Sequence, residues 1–235
     1  MITTVLFDLD GTLLPMDQEE FTRVYFKELT NRMADFGIDR KELTNAIWQA
    51  MKEMVANDGS RTNEEVFWQS FCHTFGEQIL SRKKDFDDFY LSEFDRVRDV
   101  CGMTPKAAGT VEQLRRMGLQ TAVATLPVFP LIGIEARLRW AGVSPEDFAF
   151  ITSYETSHYT KPNPAYYREL LEQNGLTGEE CLMVGNNVEE DMRAADLGIK
   201  VFLLTDCLIN EKQKDISLFP NGGFDALMDY LRTLL

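Results

Sequence analysis

Val5-Leu6-Phe7-Asp8-Leu9-Asp10-Gly11-Thr12-Leu13-Leu14 decides how this chain is to be read. A short apolar run of strand length ends in two aspartates one residue apart, and Gly11 breaks the run. Residues two apart on an extended strand point the same way, so the Asp8 and Asp10 carboxylates leave the strand end together. Two readings stand at this point. In one, the pair sits in a turn, bonding local backbone N–H groups while Gly11 supplies unusual dihedrals. In the other, a divalent cation neutralises the pair, one carboxylate acting as a nucleophile and the other passing a proton.

Working outward, strand-length apolar runs recur at Val5–Phe7, Thr121–Ala124, Phe148–Ile151, Cys181–Val184 and Val201–Leu204. Helical spacing lies between them: Ala108, Val111, Leu114 and Met117 before Gly118, then Leu131 to Ala141 before Gly142. Asn163-Pro164 reads as a helix start and Gly175 as a stop. Strands alternating with helices predict an α/β fold, a doubly wound parallel sheet whose ligands bind beyond the carboxyl ends of its strands. Between about Gln18 and Val100 the rhythm changes to helices alone, with stripes at Phe21, Tyr25, Leu29 and Met33, at Leu43, Ile47, Met51 and Met54, at Val66, Phe67 and Phe71, and at Phe86, Phe89, Tyr90 and Phe94. The expected organisation is a core of residues 1–16 and 101–235 with a smaller all-helical cap, 17–100, inserted after the first strand as a lid over the aspartates.

The other strand ends carry polar residues in order. Thr125 follows the second run and offers a hydroxyl. Lys161, held between Thr160 and Pro162 ahead of the Asn163 helix start, offers an ammonium that can offset phosphate charge. After Val184-Gly185 come Asn186, Asn187, Glu189, Glu190 and Asp191, oxygen donors of the kind hard cations take. Each is weak alone, and acids at a helix start also suit its dipole.

Composition narrows the function class. The chain has 235 residues, 44% of them hydrophobic, enough for a sizeable core, and a formal net charge of −14. That charge argues against nucleic-acid and anionic membrane partners, which select basic faces. The start, Met1-Ile2-Thr3-Thr4, carries no basic leader, and no apolar run approaches the roughly 20 residues of a membrane span, so a cytoplasmic location is expected. Cys72, Cys101, Cys181 and Cys207 are scattered without a CxxC and read as packed, reduced thiols.

From FDLDGTLL through Thr125 and Lys161-Pro162 to VGNNVEED, the chain resembles the haloacid dehalogenase-like hydrolase superfamily, in its phosphatase branch with a helical cap. The resemblance implies that Asp8 becomes an aspartyl phosphate and that Asp10 protonates the leaving alcohol and then activates water. It also implies that Thr125 and Lys161 hold the phosphoryl group, and that Asp8, Asp10, Asn186 and Asp191 bind Mg2+, with Glu190 as a helper. The presence of Asp10 favours phosphatases over the dehalogenases of the fold, which lack that aspartate. Two positions depart from the pattern. Asn186 stands where an acid is usual, so weaker magnesium binding is expected, and Leu126 stands where a small or polar residue is usual, offering an apolar surface to the leaving group. The implied substrate is a small phosphorylated metabolite. A phosphosugar mutase of the β-phosphoglucomutase type, or a non-catalytic binding module with a decayed metal site, would use the same residues. Arg61, His73, Arg82, Lys83 and Lys84 are read as surface residues, His158 as structural or solvated, and the protein as a monomer or a homodimer.

Overall fold

A computed structural model describes residues 1–235. Its centre is a five-stranded parallel sheet built from β1 (Thr4–Phe7), β2 (Gln120–Val123), β3 (Cys181–Gly185), β4 (Lys200–Leu204) and β5 (Asn221–Gly222), in the order β2-β1-β3-β4-β5. Alternate side chains of each strand feed opposite faces, as the pleat requires. Val5, Phe7, Leu182, Val184, Phe202 and Leu204 enter one core, while Leu6, Met183, Val201 and Leu203 enter the other. Both faces are therefore covered, the arrangement parallel strands need. Helices α5 (Pro105–Arg116), α6 (Leu131–Trp140) and α8 (Phe224–Arg232) cover the first face, and α7 (Pro164–Gln173) covers the second through Tyr166, Tyr167 and Leu170. As its sequence predicts, α7 is capped by Asn163, whose side chain accepts the Ala165 N–H at 2.9 Å.

All structure between β1 and β2 is helical up to α5: α1 (Gln18–Ala34), α2 (Arg40–Val55), α3 (Asn63–Phe75) and α4 (Lys83–Leu91), with 3-10 segments at Glu77–Arg82 and Glu93–Val100. The chain leaves and rejoins the sheet at adjacent points, since Met16 pairs antiparallel with Cys101 and the Gly102 N–H donates to Pro15 O at 2.7 Å. The helical insertion is bolted down elsewhere too. The backbone N–H groups of Asn63 and Glu64 donate to Ser157 O and Tyr154 O at 2.8 Å, and the Trp140 indole N–H donates to Asp95 at 2.9 Å. Phe21, Tyr25, Leu29 and Phe94 of the insertion share one continuous apolar cluster with Phe7, Ile134 and Leu138.

Three local expectations are corrected. Phe148–Ile151 is not a strand. It runs beside β2 through Ala149 N–H to Thr121 O, Val123 N–H to Phe150 O and Thr152 N–H to Val123 O, but only a single bridge, Val123 to Ile151, forms. The stripe from Phe86 to Phe94 is not one helix. α4 stops at Ser92, whose hydroxyl donates to Asp88 O and competes with the helical ladder, and Phe94 falls in the following 3-10 segment. The two-residue β5, polar and without an apolar pattern, was not expected. No helix is long and apolar enough to cross a membrane.

Candidate active site

The loop after β1 is shaped by its own backbone. Leu9 O accepts the N–H groups of Thr12 and Leu14, while Leu9, Leu13 and Leu14 bury their side chains beneath it. Gly11 turns the chain with φ +85°, and a Cβ there would also collide with the Asn186 amide, so both dihedral and space demand glycine. The Asp8 N–H donates to Val184 O at 2.9 Å and the Ala124 N–H donates to Phe7 O at 2.7 Å. These two bonds set the ends of β1, β2 and β3 level, with Asp8 between Thr125 and Gly185.

Lys161 links the two acids at the centre. It is 1% exposed, and its Nζ lies 2.9 Å from Asp8 Oδ1 and 2.6 Å from Asp191 Oδ1. Asp191 is fixed a second time by the Asn187 N–H, which donates to its Oδ2 at 2.9 Å, and Gly185 has no side chain because a Cβ would occupy that carboxylate's place. Burial pushes the Asp8 carboxyl up to about 7, against the pull of the Lys161 ammonium, with Asp191 and Asp10 adding to the rise. Burial alone would drive Lys161 toward its neutral form, yet Asp191 and Asp8 outweigh it and hold the ammonium well above its ordinary value. One charged lysine is thus shared by two buried carboxyl groups.

Asp10 leans the other way. Its Oδ2 pairs with Arg137, a fully buried side chain of α6 whose Nε also donates to Gly133 O at 3.2 Å. The guanidinium stacks 4.2 Å over the Phe129 ring. Asp10 Oδ1 is buried with no partner in the chain. Asn186 is also buried: Nδ2 donates to Cys207 O at 2.7 Å, and Oδ1 lies 3.0 Å from the Thr12 hydroxyl. That hydroxyl is 3.3 Å from Asp8 Oδ2 as well, and its single proton serves one oxygen at a time. Thr125 is buried beside Asp8, its carbonyl accepting the Tyr166 and Thr152 hydroxyls at 2.9 and 3.1 Å. Glu190 lies at the edge, its backbone held by the Tyr167 hydroxyl at 3.0 Å and its carboxyl pushed up by burial.

The predicted residues Asp8, Asp10, Thr125, Lys161, Asn186 and Asp191 therefore converge, although Lys161 arrives on a loop rather than at a strand end. Arg137 and Thr12 were missed. An arginine in an amphipathic helix ordinarily reads as solvated, and a threonine after a glycine reads as turn chemistry. His158 turns away and pairs with Glu169 at 2.6 Å. The Asp8, Asp10, Asn186 and Asp191 side chains offer oxygens, the donors a hard cation takes. Asp8, Asp10 and Asp191 outnumber Lys161 and Arg137 by three acids to two bases, which leaves room for added positive charge. No three acidic, histidine or cysteine side chains converge at metal-binding distance, in keeping with the neutral Asn186.

The family model of haloacid dehalogenase-like hydrolases matches residues 2–197. Among curated relatives, the glyceraldehyde 3-phosphate phosphatase of Methanocaldococcus jannaschii is 27% identical, covering 100% of this chain and 99% of the relative. The phosphoglycolate phosphatase of Vibrio parahaemolyticus is 22% identical, covering 87% and 84%. Among solved structures, a haloacid dehalogenase-type phosphatase from Thermococcus onnurineus superimposes with a TM-score of 0.55 at 18% identity, covering 98% of each chain. The chain belongs to the haloacid dehalogenase-like hydrolases.

Proposed function

We propose that this enzyme is a Mg2+-dependent phosphatase that hydrolyses a small phosphomonoester through an aspartyl-phosphate intermediate on Asp8. The observation that carries the reading is the buried lysine bridge, Asp8–Lys161–Asp191, with the unpartnered Asp10 Oδ1 in the adjacent loop. In the first step, an Asp8 carboxylate oxygen bonds to phosphorus while the ester P–O bond breaks, and Asp10 gives its proton to the departing alcohol oxygen. In the second, water bonds to the same phosphorus, its proton passes to Asp10, and the bond to Asp8 breaks to restore the carboxylate and release inorganic phosphate. Lys161 offsets charge on the transferring group, and the Thr125 hydroxyl donates to one of its oxygens.

Asp8 and Asn186 through side-chain oxygens, and Asp10 through its carbonyl, would hold magnesium. Asp191, whose Oδ1 and Oδ2 also accept from Lys161 and the Asn187 N–H, would join them through a side-chain oxygen. When bound, the cation neutralises charge on the phosphoryl oxygens. Residues 17–100 act as the cap, keeping bulk water from the intermediate and limiting substrate size. Relatives named for glyceraldehyde 3-phosphate and phosphoglycolate support small soluble esters as the substrate class.

Phosphate release from a panel of small monoesters, with and without Mg2+, tests the reading. We expect metal-dependent turnover that falls on the order of 10⁴-fold or more in Asp8→Asn. Turnover that survives in that variant would remove Asp8 as the nucleophile.

A further inference from the structure

Between the helical insertion and the sheet lies a cavity of about 140 Å³ that reaches Asp10. Its walls are Phe21, Phe26, Trp48, Met51, Leu126 and Phe129. Tyr25 presents its ring, since its hydroxyl is already bonded to the Tyr90 hydroxyl at 2.8 Å. Asp10 is its only charged lining residue, and the smaller adjoining hollow of about 40 Å³, which shares Tyr25, Met51 and Phe129, adds only the acid Asp87. No lysine or arginine faces either space. The nearest buried cation, Arg137, lies behind Phe129 and is occupied by Asp10. The insertion's other candidate cations are engaged elsewhere: Lys83 with Glu64 and the Trp68 ring, Lys84 with Asp88, Arg82 with Asp85, and Arg61 with Gln69.

Such a lining discriminates by charge. A carboxylate or second phosphate on the leaving group would lose its water, meet no cation and face Asp10 and Asp87. A sugar would bury several hydroxyls against aromatic rings with only Gln18, Thr22 and Asp10 as polar partners. An apolar ring loses nothing by entering, and its size is right, since a cavity of ~150 Å³ lined by apolar side chains holds benzene. Leu126 gives that ring an aliphatic contact where a polar side chain would have to be desolvated.

We propose that the substrate is the phosphate monoester of an uncharged, predominantly apolar alcohol about the size of one aromatic ring. The alcohol part is seated against Phe21, Trp48, Met51, Leu126 and Phe129, and its ester oxygen faces Asp10. This rests on the phosphatase reading above.

The test compares benzyl phosphate with 2-phosphoglycolate on the Mg2+-loaded enzyme, two esters whose leaving oxygens are both alkyl. The expected kcat/KM favours benzyl phosphate on the order of a hundredfold. Equal or reversed values overturn the proposal while leaving the phosphatase reading intact. Thr22→Lys, on the cavity rim, is expected to lower turnover of benzyl phosphate and raise that of 2-phosphoglycolate. An unchanged ratio shows that the leaving group sits elsewhere. Should no ester be hydrolysed, the phosphatase reading fails, and calorimetric titration with benzylphosphonate and phosphonoacetate tests the cavity separately. Preferential binding of benzylphosphonate, weakened in Trp48→Ala, supports the proposal, and equal binding of the two overturns it.

Discussion

The two walls of the candidate active site are built from opposite materials. On the sheet side, Lys161, Asp8, Asp191, Asp10 and Arg137 are all charged residues, and all but Asp10 are buried, each with a named ionic partner. On the insertion side, aromatic rings and methionine line a hollow without a cation. The difference separates two tasks. Positioning and neutralising a phosphoryl group requires fixed charges in a dry site. Choosing among alcohols requires shape and a surface that penalises the wrong charge.

The contrast breaks most visibly at Lys161. Lys161→Met leaves Asp8 and Asp191 buried without their shared cation, and we expect a loss of about 3–5 kcal/mol in urea unfolding, together with loss of turnover. Adding Asp191→Asn should recover part of the stability but not the activity. A single variant as stable as wild type would mean that the three groups do not act as one network.

A smaller loss is expected at Arg137, because the Asp10 side chain keeps 24% of its exposure and can regain water. Arg137→Met should cost about 2 kcal/mol and lower kcat more than it raises KM. Arg137→Lys, which keeps the charge without the fork, should fall between the two. A change confined to stability would assign Arg137 to the core alone.

Asn186→Asp sharpens the charged side by adding the missing acid, with an expected drop of about tenfold in the Mg2+ concentration for half-maximal activity. The cost of placing a new carboxylate near Asp8 should appear as lower stability without metal. An unchanged magnesium dependence would show that position 186 does not touch the cation. The least effect is expected from Trp48→Ala, since Trp48 sits 43% exposed at the rim against Phe26. KM for an apolar ester should rise about threefold, equivalent to ~0.7 kcal/mol, with kcat nearly unchanged.

Much of the charged wall was legible because its signals are local. Asp8 and Asp10 follow directly on a short apolar run and stand before a glycine turn, although beyond β1 their carboxylates part, and Lys161 stands beside a proline and an asparagine cap. The parallel sheet followed from apolar runs separated by helical spacing, and the insertion from the long interval with only that spacing. The errors came where local pattern and pairing disagree. Phe148–Ile151 has strand composition but makes only a single bridge to β2, and β5 pairs with β4 without strand composition.

By itself, then, the sequence determined the fold class, the helical stretch between the first two strands and most of the polar residues that converge beyond the strand ends, because periodicity and turn chemistry act over a few residues. Only the tertiary structure decided that Arg137 holds Asp10 across 127 residues and that Thr12 meets Asn186 across 174. It also decided that rings from α1 and α2 close with Phe129 around a hollow free of cations. Those contacts depend on how helices pack, and an arginine or a phenylalanine stripe reads the same in a chain whether it faces water, a neighbour or a substrate.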